Sequence, residues 1–241
     1  MSRKSFKPGA LTAPLPPVMV TVGDMDEYNV ITIGWTGILA THPPRTYISV
    51  RPERHSFKLL QKTGEFVINL AKASQARIVD YVGIYTGAKV DKFSECSLTP
   101  AKSKKVNPPT ILECPISIEC KVCQVIPMGT HHVFVADIVS VSCDEEILNA
   151  EGCICFDRAD LLAYAHGEYF RLGEKVGKFG FSTKHNEKKR ADGGKKQIIN
   201  KANGVKKEHR EKSRTSEEKK PFYYGIKSVN GKMKRGGGKK K

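Results

Sequence analysis

The chain has 241 residues and a mass of 26.7 kDa, with 39% hydrophobic and 27% charged residues, enough apolar material for a core of its own. An odd count of seven cysteines excludes a fully paired disulfide scaffold, and no apolar stretch is long enough to span a bilayer. The start at Met1 carries charges without a following signal-like apolar run, so the expected setting is reduced, soluble and cytoplasmic, with no membrane partner.

The net charge of +16 points to a nucleic-acid binder until it is divided by position. Residues 184–241 hold 21 Lys and Arg against 6 Asp and Glu, whereas residues 1–183 hold 20 against 19. The body is nearly neutral. It also carries all seven cysteines and Trp35, while the remainder runs through segments such as Lys188-Lys189-Arg190 and Lys239-Lys240-Lys241. A segment so poor in apolar side chains cannot offset its ordering entropy, so residues 184–241 are expected to be a disordered basic tail. Its expected contact is loose, with RNA or acidic surfaces.

Taken in order, Pro17 to Gly23 reads as a strand, Asp24 to Glu27 as a turn, and Asn29 to Gly34 as a second strand, together a hairpin. Thr32 to Gly37 reads as a polar, Gly-containing turn that leads through the His42-Pro43-Pro44 corner to a strand over Arg45 to Arg51. His55 to Lys62 has helical spacing and stops at Gly64. Glu65 to Leu70 is a strand, and Ser74 opens a capped helical stretch through Val82. Pro115 to Ile126 and His131 to Ser142 are the two longest β patterns, separated by Pro127-Met128-Gly129. Short connections without strand-helix alternation favour a mainly β antiparallel barrel with a few short helices over a doubly wound sheet.

Chemistry concentrates between Asn29 and Ser56. A strand ending in Ser49 and Arg51, followed by Arg54-His55-Ser56 at a helix start, combines hydroxyls, guanidiniums and free amides suited to a phosphate. On composition alone, the two arginines read equally well as surface charges. Cys120 and Cys123 are three apart on a strand and face opposite sides unless a bulge intervenes, while Cys153 and Cys155 supply only two thiols, so no metal site is assigned. No Gly-rich nucleotide motif of the Rossmann or P-loop kind is present.

Further pieces extend the pattern: Thr32-Ile33-Gly34-Trp35, Gly64 to Asn69, Gly87 to Phe93, Gly129-Thr130-His131, and Tyr169 to Gly173 leading to Gly177-Lys178-Phe179-Gly180. In this order they resemble the flavin reductase-like family, the FMN-binding split barrels that include flavoredoxin and the reductase components of two-component monooxygenases. The resemblance covers about residues 10–183. It implies a split antiparallel, Greek-key β-barrel over residues 1–183, with residues 184–241 as the tail.

The resemblance also implies site roles. Thr32, Ile33, Gly34 and Trp35 lie along the isoalloxazine, mostly through main chain, although many relatives have Thr-Ala-Ser-Ser there; Trp35 is either a stacking residue or a core or interface residue. Ser49, Arg51, Arg54 and Ser56 match the ribityl-phosphate positions. Lys89 and Lys92 sit in a loop that approaches the flavin, and His131 stands beside the ring, where it contacts nicotinamide or steers a proton. The implied activity is oxidoreduction with FMN as cofactor and NAD(P)H as transient donor. Electrons pass to a flavin, a ferric complex or a protein, and the assembly is a homodimer. Two other readings remain open at this point: a flavoredoxin-like carrier without NAD(P)H activity, and a nucleic-acid binder that acts through its basic tail.

Overall fold

The computed structural model describes residues 1–182; the Lys-rich segment expected to form a tail lies outside the described residues. Residues 1–173 belong to one unit, and the described residues 174–182 belong to another and carry no helix or strand. Among the described residues no helix is long and apolar enough to cross a membrane.

The strand β1 (Val18–Gly23) is buried along its whole length. Val18, Val20 and Val22 enter one core, Met19 enters a second, and Thr21 donates its hydroxyl to the Pro109 carbonyl. The alternation of a strand therefore serves two apolar layers. Gly23 turns the chain toward β2 (Tyr28–Ile33) at φ 95, where a side chain would strike the Glu27 carbonyl. Asp24 Oδ1 completes the turn by accepting from the Asp26 and Glu27 amides at 3.0 and 2.9 Å.

Only Gly34 and Trp35 separate β2 from β3 (Thr36–Thr41), where the sequence reading expected one continuous turn through Gly37. The difference has a physical cause: β3 is an edge strand that leaves Ile38 and Leu39 exposed, so it lacks the inside-outside alternation that marks its neighbours. After the Pro43 corner come β4 (Pro44–Val50) and α1 (His55–Thr63). α1 buries Phe57, Leu59 and Leu60 and ends at Gly64, whose N–H bonds back to the Leu60 carbonyl.

Next are β5 (Glu65–Leu70) and α2 (Ala76–Ile84). The residues before α2 form a short turn in which Gln75 Oε1 accepts from the Lys72 amide at 2.8 Å, so Ser74 is not the cap the sequence reading assigned. The remaining elements are α3 (Lys92–Glu95), β6 (Pro100–Ala101), β7 (Thr110–Ile111), β8 (Ile116–Met128), β9 (His131–Cys143), β10 (Leu162–Ala165) and β11 (Glu168–Arg171).

The main sheet has the order β2-β1-β5-β8-β9-β4-β3, with every pairing antiparallel. Its two edge strands are consecutive in the chain, so the two-residue link at Gly34 and Trp35 forces the sheet to curl and brings the ends of its two unpaired edges together. The result is the antiparallel split barrel that the sequence led us to expect. Val20, Ile48, Leu60, Phe66 and Phe134 fill its interior. Met19, Val30, Val79, Val82 and Phe93 fill the layer between the sheet and the helices α2 and α3.

Candidate functional site

The seam of the barrel is where main chain is left uncovered. Thr36 and Ser49 hold the link there: the Thr36 hydroxyl donates to the Tyr47 carbonyl at 2.6 Å, and the Ser49 N–H donates to the Trp35 carbonyl at 3.0 Å. A cavity of about 370 Å³ opens along the seam. Ile31 to Trp35 form one wall and Ser49 to Arg51 the other, with Arg54 and His131 completing the lining. A Cβ added at Gly34 would meet nothing within 4 Å, so the main chain there faces open space.

One part of the cavity lining is cationic. Arg51 Nε pairs with Glu53 Oε1 at 2.7 Å, both side chains being more than half exposed. Arg54 sits at the N-cap of α1, and Nη2 donates to the Gly83 carbonyl at 2.6 Å. No side chain caps α1 and no acidic residue lies in its first turn. The positive end of that helix therefore adds to the two guanidiniums, an arrangement that favours an anion.

The aromatic part of the lining is Trp35, 48% exposed, stacked on His131 with ring centroids 6.1 Å apart and planes 19° from parallel. His131 Nδ1 shares a hydrogen bond of 2.8 Å with the Thr130 hydroxyl. The neighbouring His132 meets the edge of Phe57 at 5.1 Å, so the paired histidines serve different surroundings, as strand alternation requires.

Thus Thr32, Ile33, Gly34, Trp35, Ser49, Arg51, Arg54 and His131 share one cavity. Three other expected site residues stand elsewhere. Ser56 is 1% exposed and accepts a hydrogen bond from Asn29 Nδ2 at 2.8 Å. Lys89 and Lys92 line a second cavity of about 300 Å³ with Tyr28, Asn29 and Phe93. The Lys92 ammonium is buried and donates to the carbonyls of Val30 and Val82, each at 2.8 Å. Burial first, and the Arg54 charge second, push its pKa down to about 8.

Sequence reasoning missed Asn29, Glu53 and Gly83. Glu53 stands in plain view between the two arginines, whereas the other two act through a buried amide and a carbonyl oxygen that residue type does not reveal. In β8, register shifts fall between Glu119 and Cys120 and between Val122 and Gln124; Cys120 is buried and Cys123 exposed. Among the described residues no group of three or more His, Cys, Asp or Glu is placed to hold a metal ion.

A polar main-chain wall, an aromatic face and a cationic end suit a flat ring with an anionic tail. Fold and site define an oxidoreductase of the flavin-linked split-barrel class. Residues 11–173 match the flavin reductase like domain, and the chain belongs to that family. An uncharacterized protein of Archaeoglobus fulgidus is 32% identical over 121 residues, 50% of this chain and 68% of that protein. Flavoredoxin of Desulfovibrio vulgaris (Miyazaki F) superposes with a TM-score of 0.71 at 30% identity, covering 76% of this chain and 100% of its own. An FMN-binding protein from Thermus thermophilus with bound p-hydroxybenzaldehyde has the same fold, with a TM-score of 0.60 at 22% identity over 74% of this chain and 97% of its own.

Proposed function

We propose that the chain binds FMN in the seam cavity and passes reducing equivalents from NAD(P)H to a flavin, a ferric complex or a protein acceptor. The observation that carries this reading is that Arg51, Arg54 at the N-cap of α1 and the open main chain at Gly34 all line one cavity. The donor set fits the group: two guanidiniums beside the positive end of a helix for a phosphate, and an uncluttered backbone for a ring.

When bound, FMN supplies the redox chemistry, accepting a hydride and releasing electrons. The protein's part is to bind and orient. Arg51 and Arg54 neutralise the phosphate, and the Ser49 hydroxyl orients it. Ile31 to Trp35 offer main-chain groups to the ring edge. His131, with Nδ1 engaged by Thr130, keeps Nε2 to hold or move a proton at the exposed face. A second copy of the chain is the expected partner, supported by the unpaired edge of β3 with Ile38 and Leu39 exposed, and by Val125 and Met128 exposed on the β8–β9 hairpin. Sizing of the full chain by light scattering tests this.

The decisive experiment is the visible spectrum of the freshly purified full chain, followed by FMN titration. Flavin bands at one chromophore per chain, or uptake to that ratio, are expected. A folded, colourless protein that takes up no FMN overturns the reading. The 30% identity to flavoredoxin favours a second version, an electron carrier without NAD(P)H activity. Loss of nicotinamide absorbance on mixing NADH or NADPH with protein and free FMN separates the two.

A further inference from the structure

The last carbonyls of an α-helix have no partner within the helix and form the negative end of its dipole. At the end of α2, the Tyr85 N–H returns to the Tyr81 carbonyl at 3.0 Å, but the next two carbonyls are taken by cations from other elements. Lys92 Nζ donates to the Val82 carbonyl at 2.8 Å, and Arg54 Nη2 donates to the Gly83 carbonyl at 2.6 Å. The same ammonium donates to the Val30 carbonyl at 2.8 Å on β2, an edge strand with a neighbour on one side only.

Lys92 is therefore a stitch between the cavity wall and the helix that supports Arg54. It is 3% exposed, and among the described residues neither Lys92 nor Arg54 is ion-paired with a carboxylate. Burying a cation in this way is costly unless hydrogen bonds hold it, and the two carbonyls do so. Α side chain at Gly83 would crowd Thr32 at 3.2 Å, and the Thr32 hydroxyl donates to the Val79 carbonyl. The helix thus rests directly on the wall that includes Thr32, and a shift of its end would displace the Gly83 carbonyl and the guanidinium bonded to it.

We propose that Lys92 is a positioning residue for the anion-binding end of the seam cavity: by tying the end of α2 to β2, it fixes the carbonyl on which Arg54 rests and aims that guanidinium at the ligand's phosphate. The proposal rests on the FMN reading above. It gives Lys92 a role in affinity for the phosphate without contact with it, whereas the family resemblance implied direct flavin binding.

The test uses full-length wild type, Lys92→Met, Arg54→Ala and the double variant, each titrated with FMN and with riboflavin, which has the same ring and no phosphate. Wild type is expected to prefer FMN, and Lys92→Met to weaken FMN binding about tenfold while riboflavin binding stays within about twofold. The double variant is expected to bind FMN no more weakly than Arg54→Ala alone, because both changes disable one device. Equal weakening of both ligands in Lys92→Met, or an FMN preference kept in Lys92→Met but lost in Arg54→Ala, overturns the positioning role alone. A wild type that binds FMN no better than riboflavin overturns the phosphate reading and the proposal with it. If Lys92→Met yields no folded protein, Lys92→Gln, which keeps a donor group on a shorter chain, is titrated against the same criterion.

Discussion

Ser49 donates its backbone N–H to the carbonyl oxygen of Trp35 at 3.0 Å. This bond joins the end of β4 to the two-residue link between the edges of the barrel. It sets the strand that leads to Arg51 beside the turn that exposes Gly34, so the open main chain and the guanidinium that line the cavity are held by one short piece of main chain.

Replacing both Arg51 and Arg54 by alanine should weaken FMN at least about 100-fold, since two charge-assisted contacts to a dianion are lost. Glu53 competes for Arg51 at 2.7 Å, so Glu53→Gln should strengthen FMN binding by about two- to fivefold at low salt. The gain should shrink as salt rises, as for other exposed ion pairs. Isothermal titration at two ionic strengths checks both changes.

The open space at Gly34 allows a steric test that spares the fold. A Cβ there meets no heavy atom within 4 Å, and Gly34 is not among the positive-φ residues, so Gly34→Val should fold with an unchanged melting temperature. Its branched side chain would occupy space beside the cavity main chain, and FMN uptake should fall by about tenfold or more. A variant that melts normally and binds FMN as wild type does would move the ring away from this wall.

The sequence made much of this arrangement legible, and for identifiable reasons. The strands with one or two buried faces, such as Val18–Gly23 and Glu65–Leu70, announced themselves by apolar pattern, and Gly64 marked the end of α1 because its left-handed conformation suits glycine. The strand Thr36–Thr41 escaped because an edge exposes apolar residues without alternation. At the site, the arginines were legible as residue types. The burial of Lys92 was not, since its partners are carbonyls of Val30 and Val82 brought together only by the packing of α2 on β2. Ser56 matches a phosphate position of the family pattern, but residue type does not reveal that its hydroxyl is buried in the first turn of α1 and accepts from Asn29.

Trp35 offers an optical reading of the same cavity. It is the chain's single tryptophan and lines the seam against His131, so its emission reports events there with no background from other indoles. FMN titration of wild type should quench it in step with saturation, because a flavin within a few ångströms takes up the excitation. Trp35→Phe should bind FMN with an affinity within about threefold, the aromatic face being retained, while Trp35→Ala should weaken it by about five- to tenfold. Unquenched emission at full FMN occupancy would place the indole outside the ring's reach.

Lys92 also has a consequence for stability. Its pKa is about 8 in the fold against 10.5 for an ordinary lysine, chiefly through burial and secondarily through the Arg54 charge, with Cys96 acting weakly in the opposite sense. The folded state therefore disfavours the ammonium. Between these two values the unfolded chain binds a proton that the native chain has released, so stability attributable to this group rises with pH across that window and is flat below it. For a side chain 3% exposed, the full span corresponds to about 3 kcal/mol. Urea unfolding of wild type and Lys92→Met from pH 7 to 10 should give a difference in stability that moves toward wild type above pH 8. The amine formed at high pH can still donate to both carbonyls, so the stitch at the end of α2 survives while its desolvation cost is relieved. A difference independent of pH would mean that the ammonium is solvated well enough to keep its ordinary proton affinity.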